Sequence, residues 1–282
     1  MREIVFDIKE KDDSVMIRDY LRDFGVSSSL LTKLKQDENG IKLNGKFAKT
    51  IERLKSGDEL KISIKNKGKM PQKFECDKVS VAYSDEDILV LNKPPLMPVH
   101  ESRNHRGDTL ANVSACFLDF DCAFRAVYRL DRDTSGLVLI AKNELAASKL
   151  AGNVKKDYYA VVSGVFEGSG TIDLPIRRVA QSIIERGVFD DGERAVTHWD
   201  AVKTDGENTL LKINLETGRT HQIRVHFAHL GHPLLGDSLY GGNLTKIDRQ
   251  ALHCKTIYFT HPITGKSVTV DCDFPNDFKG LI

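Results

Sequence analysis

The sequence predicts an α+β fold, with a mixed, largely antiparallel sheet in a main domain and a small α+β domain in front of it. Short apolar runs bounded by turn residues, Ile88–Leu91 and Gly136–Ala141, are typical of buried strands. A doubly wound sheet requires strands and helices to alternate regularly, and this sequence lacks that alternation. The segment Lys65–Gln72 carries Gly and Pro without apolar periodicity, which predicts a linker between domains at residues 1–75 and 76–282.

The smaller domain is predicted to combine two helices with short strands. Met1–Asp7 and Leu60–Ile64 have the pattern of strands. Ser14–Phe24 has helical spacing, and Ser27–Ser29 can cap a second helix that carries three leucines. The Asn-Gly pair within Ile41–Lys46 is flanked by strand-like residues and predicts a tight hairpin.

The main domain is predicted to add further strands and two helices. Tyr158–Val165 and Leu210–Leu215 have the character of strands. Helices are expected at Glu144–Asn153 and at His221–Leu230, the second with Thr220 as its N-cap.

Charge is balanced over the whole chain but not locally. The 282 residues carry 41 basic and 40 acidic side chains, a formal net charge of +1. Residues 28–73 hold twelve Lys and Arg against five Asp and Glu, a local excess of seven. Such a patch can bind nucleic acid, although a basic stretch is more often a solvated face.

Cysteine usage and hydropathy indicate a cytoplasmic protein. The five cysteines form no CxxC pair, which argues against a disulfide framework or a zinc ribbon. No apolar run approaches the ~20 residues of a membrane span, so we expect no membrane partner. We also expect a monomer.

The motifs of common cofactor and hydrolase chemistry are missing from the sequence. Neither GxxxxGK[ST] nor GxGxxG occurs, and there is no GxSxG elbow. Four histidines fall within twelve residues, His221, His226, His229 and His232, but HExxH and an acidic ligand are absent. We therefore expect neither a metal nor a cofactor, and keep a zinc-dependent nuclease as an alternative.

A carboxylate remains as the candidate reactive group. Asp131 lies in a polar turn directly before the apolar strand at Gly136–Ala141, which places it at the rim of a sheet. An aspartate in such a turn is by itself most simply a capping residue.

Four segments in order give Asp131 another interpretation, because together they resemble the RluA-type RNA pseudouridine synthases. The segment Arg129–Lys142, RLDRDTSGLVLIAK, is similar to the active-site motif of that family. The other three are Asp87–Pro95, Lys156–Gly164 and Thr217–Asp237. The chain departs from the family pattern at Tyr128, where His is usual, and at Leu96, where Gly is frequent.

The N-terminal segment resembles the alpha-L type of RNA-binding domain, named after a small-subunit ribosomal protein. Residues 14–64 carry the resemblance through a basic helix, an LNGK turn and an LKSGDEL turn. It implies RNA contacts by Lys33, Lys35 and Lys46. The alternative is an accessory domain with solvated lysines.

The family resemblance implies a pseudouridine synthase fold and the isomerisation of uridine to pseudouridine in RNA without a cofactor. Asp131 would be the nucleophile, and Arg224 would hold the carboxylate ionised. Tyr158 would be the aromatic platform of the flipped base. Arg129 would contact a phosphate or the vacated stack.

The RNA substrate is less specified than the reaction. Large-subunit ribosomal RNA is expected by family analogy, with transfer RNA as the alternative. A non-catalytic RNA-binding or ribosome-assembly protein of the same fold also remains open.

Overall fold

The structure is a computed structural model that describes residues 1–65, 71–72, 74, 76–102, 105–118 and 122–281. Most of the predicted linker and the boundary at residue 75 therefore lie outside the described residues.

The first described segment forms a four-stranded antiparallel sheet covered by two helices. The strands follow the order β1-β4-β2-β3. Their bounds, with those of the helices, are β1 Arg2–Asp7, α1 Ile17–Asp23, α2 Ser28–Lys35, β2 Ile41–Leu43, β3 Lys46–Phe47 and β4 Glu59–Ile64. A single 3-10 turn, Glu10–Asp12, follows β1. Leucines and isoleucines of the helices pack on one face of this sheet and form its core.

Local chemistry explains these elements well. Ser27 caps α2, because its side chain accepts a hydrogen bond from the Leu30 amide at 3.2 Å. Asn44 and Gly45 both have positive φ, 50° and 78°, as a two-residue turn between β2 and β3 requires. Both predictions are confirmed. Helix α1 starts later than predicted, because Ser14 is left-handed, with φ 63°, and cannot continue a helix.

The remaining described residues form a larger, mainly antiparallel sheet. Its strands and flanking elements are β5 Ser80–Ser84, β6 Ile88–Lys93, α3 Leu110–Ser114, β7 Ser135–Ala141, α4 Glu144–Leu150, β8 Lys155–Ser163, β9 Ser169–Asp173, β10 Ile176–Arg178, β11 Arg186–Val188, β12 Val196–Thr204, β13 Asn208–Leu215, α5 Gln222–His229, β14 Leu252–Thr260 and β15 Ser267–Asp271. A 3-10 turn, Cys76–Lys78, precedes β5.

This sheet has the order β5-β6-β7-β14-β8-β13-β12-β9, and β15 pairs with β14. Strands β10 and β11 form a separate hairpin. Among the described strands, β7 and β14 are the one parallel pair, and the others run antiparallel. The predicted class, α+β with a mixed and largely antiparallel sheet, is confirmed.

A glycine allows the close approach of β7 and β14. Gly136 has φ 115°, and a Cβ atom there would lie 2.2 Å from the carbonyl oxygen of Cys254. Only glycine fits at this crossing. The polar turn that holds Asp131 is therefore fixed directly against the middle of the sheet.

The N-terminal sheet and its two helices, together the N-terminal layer, contact the larger sheet and its helices through charged and apolar groups. Leu145 of α4 is buried in the core of the N-terminal sheet. Arg2 donates two hydrogen bonds of 2.9 Å to Asp87, which is almost fully buried and also accepts one from Asn143. The N-terminal layer is thus joined to the main sheet by buried contacts in addition to the connecting chain.

In the part of the chain that the structure describes, no helix is long and apolar enough to cross a bilayer. Cys122, Cys254 and Cys272 are free, as expected. Cys116 is disulfide-bonded, which corrects the expectation of reduced cysteines at that position.

Candidate active site

Asp131 lines a wide cleft. The cleft has a volume of about 1350 Å³ and runs between the turn before β7, the start of β8 and the segment before α5. A smaller recess of about 80 Å³ adjoins it, and its wall includes Asp131, Tyr158, Leu215, His221 and Arg224. The Asp131 side chain keeps 26% of its surface exposed, so a substrate can reach it.

The predicted contact between Asp131 and Arg224 is present. Nη1 of Arg224 donates to Oδ2 of Asp131 at 3.1 Å. Burial alone would lower the pKa of Arg224, but its bonds to Asp237 and Asp131 raise it, so the group is a permanent cation.

A second carboxylate, Asp237, orients the arginine. It accepts from Nε of Arg224 at 2.7 Å and from Nη2 at 2.8 Å, and its side chain is 1% exposed. This bidentate pair leaves Nη1 as the nitrogen directed at Asp131. Asp237 was not among the predicted site residues, although it is the last residue of the fourth family-like segment.

Tyr158 lies on β8 with its ring in the wall of the recess. Burial raises its pKa well above 10, so the phenol stays protonated, and it shares a hydrogen bond with the thiol of Cys254. Tyr159 points to the opposite face of the sheet and packs on Phe274. The two neighbouring tyrosines therefore lie on opposite faces of the sheet, as strand geometry requires.

Three of the four predicted RNA contacts are exposed and free of ion pairs in the described structure. Arg129 lines both the cleft and the recess. Lys35 and Lys46 lie on the surface of the N-terminal layer and do not line the cleft. Lys33 is exposed too, but its Nζ lies 2.6 Å from Glu144 of α4, so it contributes to the contact between the two layers.

The start of α5 differs from the prediction. His221, not Thr220, is the residue before the first helical turn, and it has a left-handed backbone with φ 59°. The Gln222 side chain accepts from the Arg219 amide at 3.0 Å and from the Thr217 hydroxyl at 2.8 Å. These bonds fix the segment before α5, and no side chain caps the helix, so the prediction of a Thr220 cap is wrong.

The histidine cluster does not assemble a metal site in the described structure. The two ring nitrogens of His226 contact Thr197 and the Leu174 carbonyl, each at 2.9 Å. His229 is exposed. His221 is the member that points into the recess, with Nε2 3.9 Å from Oδ2 of Asp131.

A buried lysine, Lys93, supports the turn that holds Asp131. Lys93 is fully buried, and its Nζ donates to the carbonyl oxygens of Pro94 at 2.9 Å and of Met97 and Arg132 at 2.8 Å. Burial lowers its pKa to about 7, although Asp133 and Asp131 oppose this shift. Because Arg132 follows Asp131, this lysine anchors the turn that holds Asp131.

The family comparison decides what this arrangement is. The sequence profile described as RNA pseudouridylate synthase matches residues 87–229, a range that includes Asp131, Tyr158 and Arg224. The chain belongs to this family. It is therefore an RNA pseudouridine synthase, an isomerase, and the predicted membership of this enzyme class is confirmed.

Individual relatives agree with this assignment. An uncharacterized RNA pseudouridine synthase of Bacillus subtilis, YjbO, is 39% identical over 94% of this chain and 98% of its own length. Ribosomal large subunit pseudouridine synthase D of Haemophilus influenzae is 34% identical over 86% of this chain and 82% of its own. The solved structure of human RNA pseudouridylate synthase domain containing 1 aligns with a TM-score of 0.59 at 26% identity, covering 72% of this chain and 86% of that one.

Proposed function

We propose that this RNA pseudouridine synthase acts on large-subunit ribosomal RNA, with Asp131 as its nucleophile. The observation that carries the site is the accessible Asp131 carboxylate, held by the Arg224 guanidinium at the entrance of a recess. The substrate rests on the relatives that are named ribosomal large subunit pseudouridine synthase D.

The two oxygens of Asp131 have different roles in this proposal. Oδ2 accepts the bond from Arg224, whereas no described residue donates a hydrogen bond to Oδ1. Oδ1 is thus the atom that meets the ribose, either attacking its anomeric carbon or removing a ribose proton. The C–N glycosidic bond breaks, the uracil turns, and C5 forms a bond with the same ribose carbon, which in the attack route breaks the bond from that carbon to Asp131. C5 then loses its proton and N1 gains one, so the product is an isomer of the substrate.

The aromatic ring of Tyr158 supports the flipped base. A base that leaves the RNA stack loses its neighbours, and stacking on an aromatic ring returns ~1–3 kcal/mol. Because Tyr158 is buried and stays protonated, its ring gives a fixed apolar surface beside Asp131. Arg129, exposed at the mouth of the cleft, contacts the RNA backbone or fills the space that the base vacates.

Residues 1–75 form an RNA-binding domain of the alpha-L type in this proposal, and residues 76–282 form the catalytic domain. Lys35 and Lys46 are exposed and can neutralise phosphates. The pairing of Lys33 with Glu144 and the buried Arg2–Asp87 bonds hold this surface in a set position relative to the catalytic sheet. A fixed distance between the two favours a structured RNA.

The test of the nucleophile is Asp131→Asn, with Asp200→Asn as control. Asp200 is an exposed aspartate of β12 outside the cleft, and its substitution makes the same chemical change. We expect Asp131→Asn to abolish tritium release from RNA labelled at uracil C5 while RNA binding persists, and Asp200→Asn to react like the unmodified enzyme. Turnover by Asp131→Asn would exclude this nucleophile.

The substrate is tested by mapping pseudouridines in total RNA from cells with and without the protein. We expect the loss of sites in large-subunit ribosomal RNA. Loss confined to transfer RNA would replace the proposed substrate, and no loss in any RNA would favour a non-catalytic role.

A further inference from the structure

A series of polar groups leads from β11 to Asp131. The backbone N–H of Arg186 in β11 donates to the hydroxyl of Tyr240 at 3.0 Å. The same hydroxyl lies 2.9 Å from Nδ1 of His221. On the far side of the ring, Nε2 lies 3.9 Å from Oδ2 of Asp131, which is longer than a hydrogen bond. The imidazole therefore lies between Tyr240 and the carboxylate and is hydrogen-bonded to Tyr240 alone of the two.

The partners fix where the proton of His221 resides. The Tyr240 oxygen accepts a hydrogen bond from the Arg186 N–H. The hydroxyl proton of Tyr240 is then available for a hydrogen bond to Nδ1 of His221. Burial raises the pKa of Tyr240, which keeps it a donor, and burial lowers the pKa of His221, which keeps the ring neutral. A neutral imidazole that accepts at Nδ1 carries its proton on Nε2, so it offers a donor to Asp131.

The backbone of His221 also indicates a selected conformation. Its φ of 59° lies in the left-handed region, which is unfavourable for a residue other than glycine. This conformation directs the side chain into the recess while the following residue begins α5. The ring is held there by an edge-on contact with Tyr240, at a centroid distance of 5.7 Å.

We propose that His221 is a positioning residue whose Nε2–H, oriented by Tyr240, closes onto Oδ2 of Asp131 in the RNA complex. Catalytic hydrogen bonds are often long before substrate binds and shorten afterwards. With Arg224 on the same oxygen, two donors then fix the carboxylate and leave Oδ1 to react. This role rests on the proposed function of Asp131.

The experiment compares His221→Asn, Tyr240→Phe and the double variant. Asn tolerates the left-handed backbone but does not reach Asp131, and Phe removes only the hydroxyl. We expect each single variant to lower kcat about tenfold, the effect of one hydrogen bond to a charged group, with KM within about twofold. The double variant should be no slower than either single one, because both break the same chain.

His229→Asn is the matched control, since His229 is an exposed histidine of the same helix. Its kcat should equal that of the unmodified enzyme. A purely structural role for His221 would lower the melting temperature without the selective loss of kcat. The inference is overturned if His221→Asn keeps kcat within twofold, or if the two losses multiply in the double variant. Should His221→Asn fail to fold, Tyr240→Phe alone decides by the same twofold limit.

Asp131→Asn separates this inference from the proposed function. Turnover by that variant would remove the nucleophile and the positioning role together. Loss of turnover in Asp131→Asn with unchanged kcat in His221→Asn would overturn only the positioning role.

Discussion

Arg224 contacts two aspartates, and the structure predicts different consequences of neutralising them. Asp237 is 1% exposed and binds the guanidinium through two bonds, whereas Asp131 is 26% exposed and binds it through one. Asp237→Asn and Asp131→Asn make the same chemical change on either side of one cation. The pair therefore separates the group that stabilises the site from the group that reacts.

The magnitudes follow from burial. Removing one partner of a buried ion pair costs about 3–5 kcal/mol, because the other charge stays buried without its counter-charge. Asp237→Asn should lower the free energy of unfolding by about 3 kcal/mol, since the amide still accepts one bond. Asp131→Asn removes a partly solvated contact, for which about 0–1 kcal/mol is the usual range.

Urea unfolding followed by the fluorescence of Trp199 measures this difference. Trp199 is the one tryptophan of the chain and packs edge-on against Phe166, so unfolding changes its surroundings. Tritium release measures turnover, which should vanish in Asp131→Asn and fall in Asp237→Asn. Equal losses of stability in the two variants would refute the conclusion that Asp237 is the structural counter-charge.

The remaining predictions concern the base platform, the buried lysine, the basic surface and one strained turn. Tyr158→Leu should lose most turnover in the tritium assay while Tyr158→Phe keeps the ring and most of kcat; equal kcat in the two would exclude stacking. The pKa of Lys93 in the folded protein is about 7, against an ordinary value of 10.5, so between these pH values the unfolded chain binds more protons than the folded one. The unmodified protein should therefore gain stability relative to Lys93→Met as pH rises through this window, which urea unfolding at pH 7 and 10 measures. A constant difference would contradict the lowered pKa. Lys35→Ala and Lys46→Ala should each reduce the slope of log affinity against log salt by about 1 in RNA titrations, and an unchanged slope would exclude phosphate contacts. Leu96 has φ 62° and is 66% exposed, so Leu96→Gly should be more stable to urea than Leu96→Ala by up to about 1 kcal/mol, and the reverse order would refute the strain.

The sequence allowed the prediction of elements with a clear local signal. The Ser27 cap, the Asn44–Gly45 turn and the apolar strands β6 and β7 depend on neighbouring residues, and all were found. The strands β9–β12, β14 and β15 were not predicted from the sequence. Strand β12 explains why, because its second half is mostly exposed and lacks an apolar face.

The site shows the same division. Asp131 and Arg224 are 93 positions apart, and no spacing rule predicts their contact; only the family resemblance paired them. Asp237 ends the fourth family-like segment, but its two hydrogen bonds to Arg224 depend on how the chain folds back after α5. His221 was considered as a metal ligand because it lies close in sequence to three other histidines. Its contact with Tyr240 depends on the fold, and the sequence does not indicate that partner.

The two departures from the family pattern have physical explanations in the support of the catalytic turn. Leu96 lies in the turn whose carbonyl oxygens, at Pro94 and Met97, accept hydrogen bonds from Lys93, and its left-handed backbone is a conformation that glycine adopts without strain. Tyr128 donates to the Leu137 carbonyl at 3.0 Å and so ties the segment before Asp131 to β7. Neither side chain contacts the Asp131 carboxylate in the described structure. The departures therefore change how the turn is held, and they leave the contact between Asp131 and Arg224 in place.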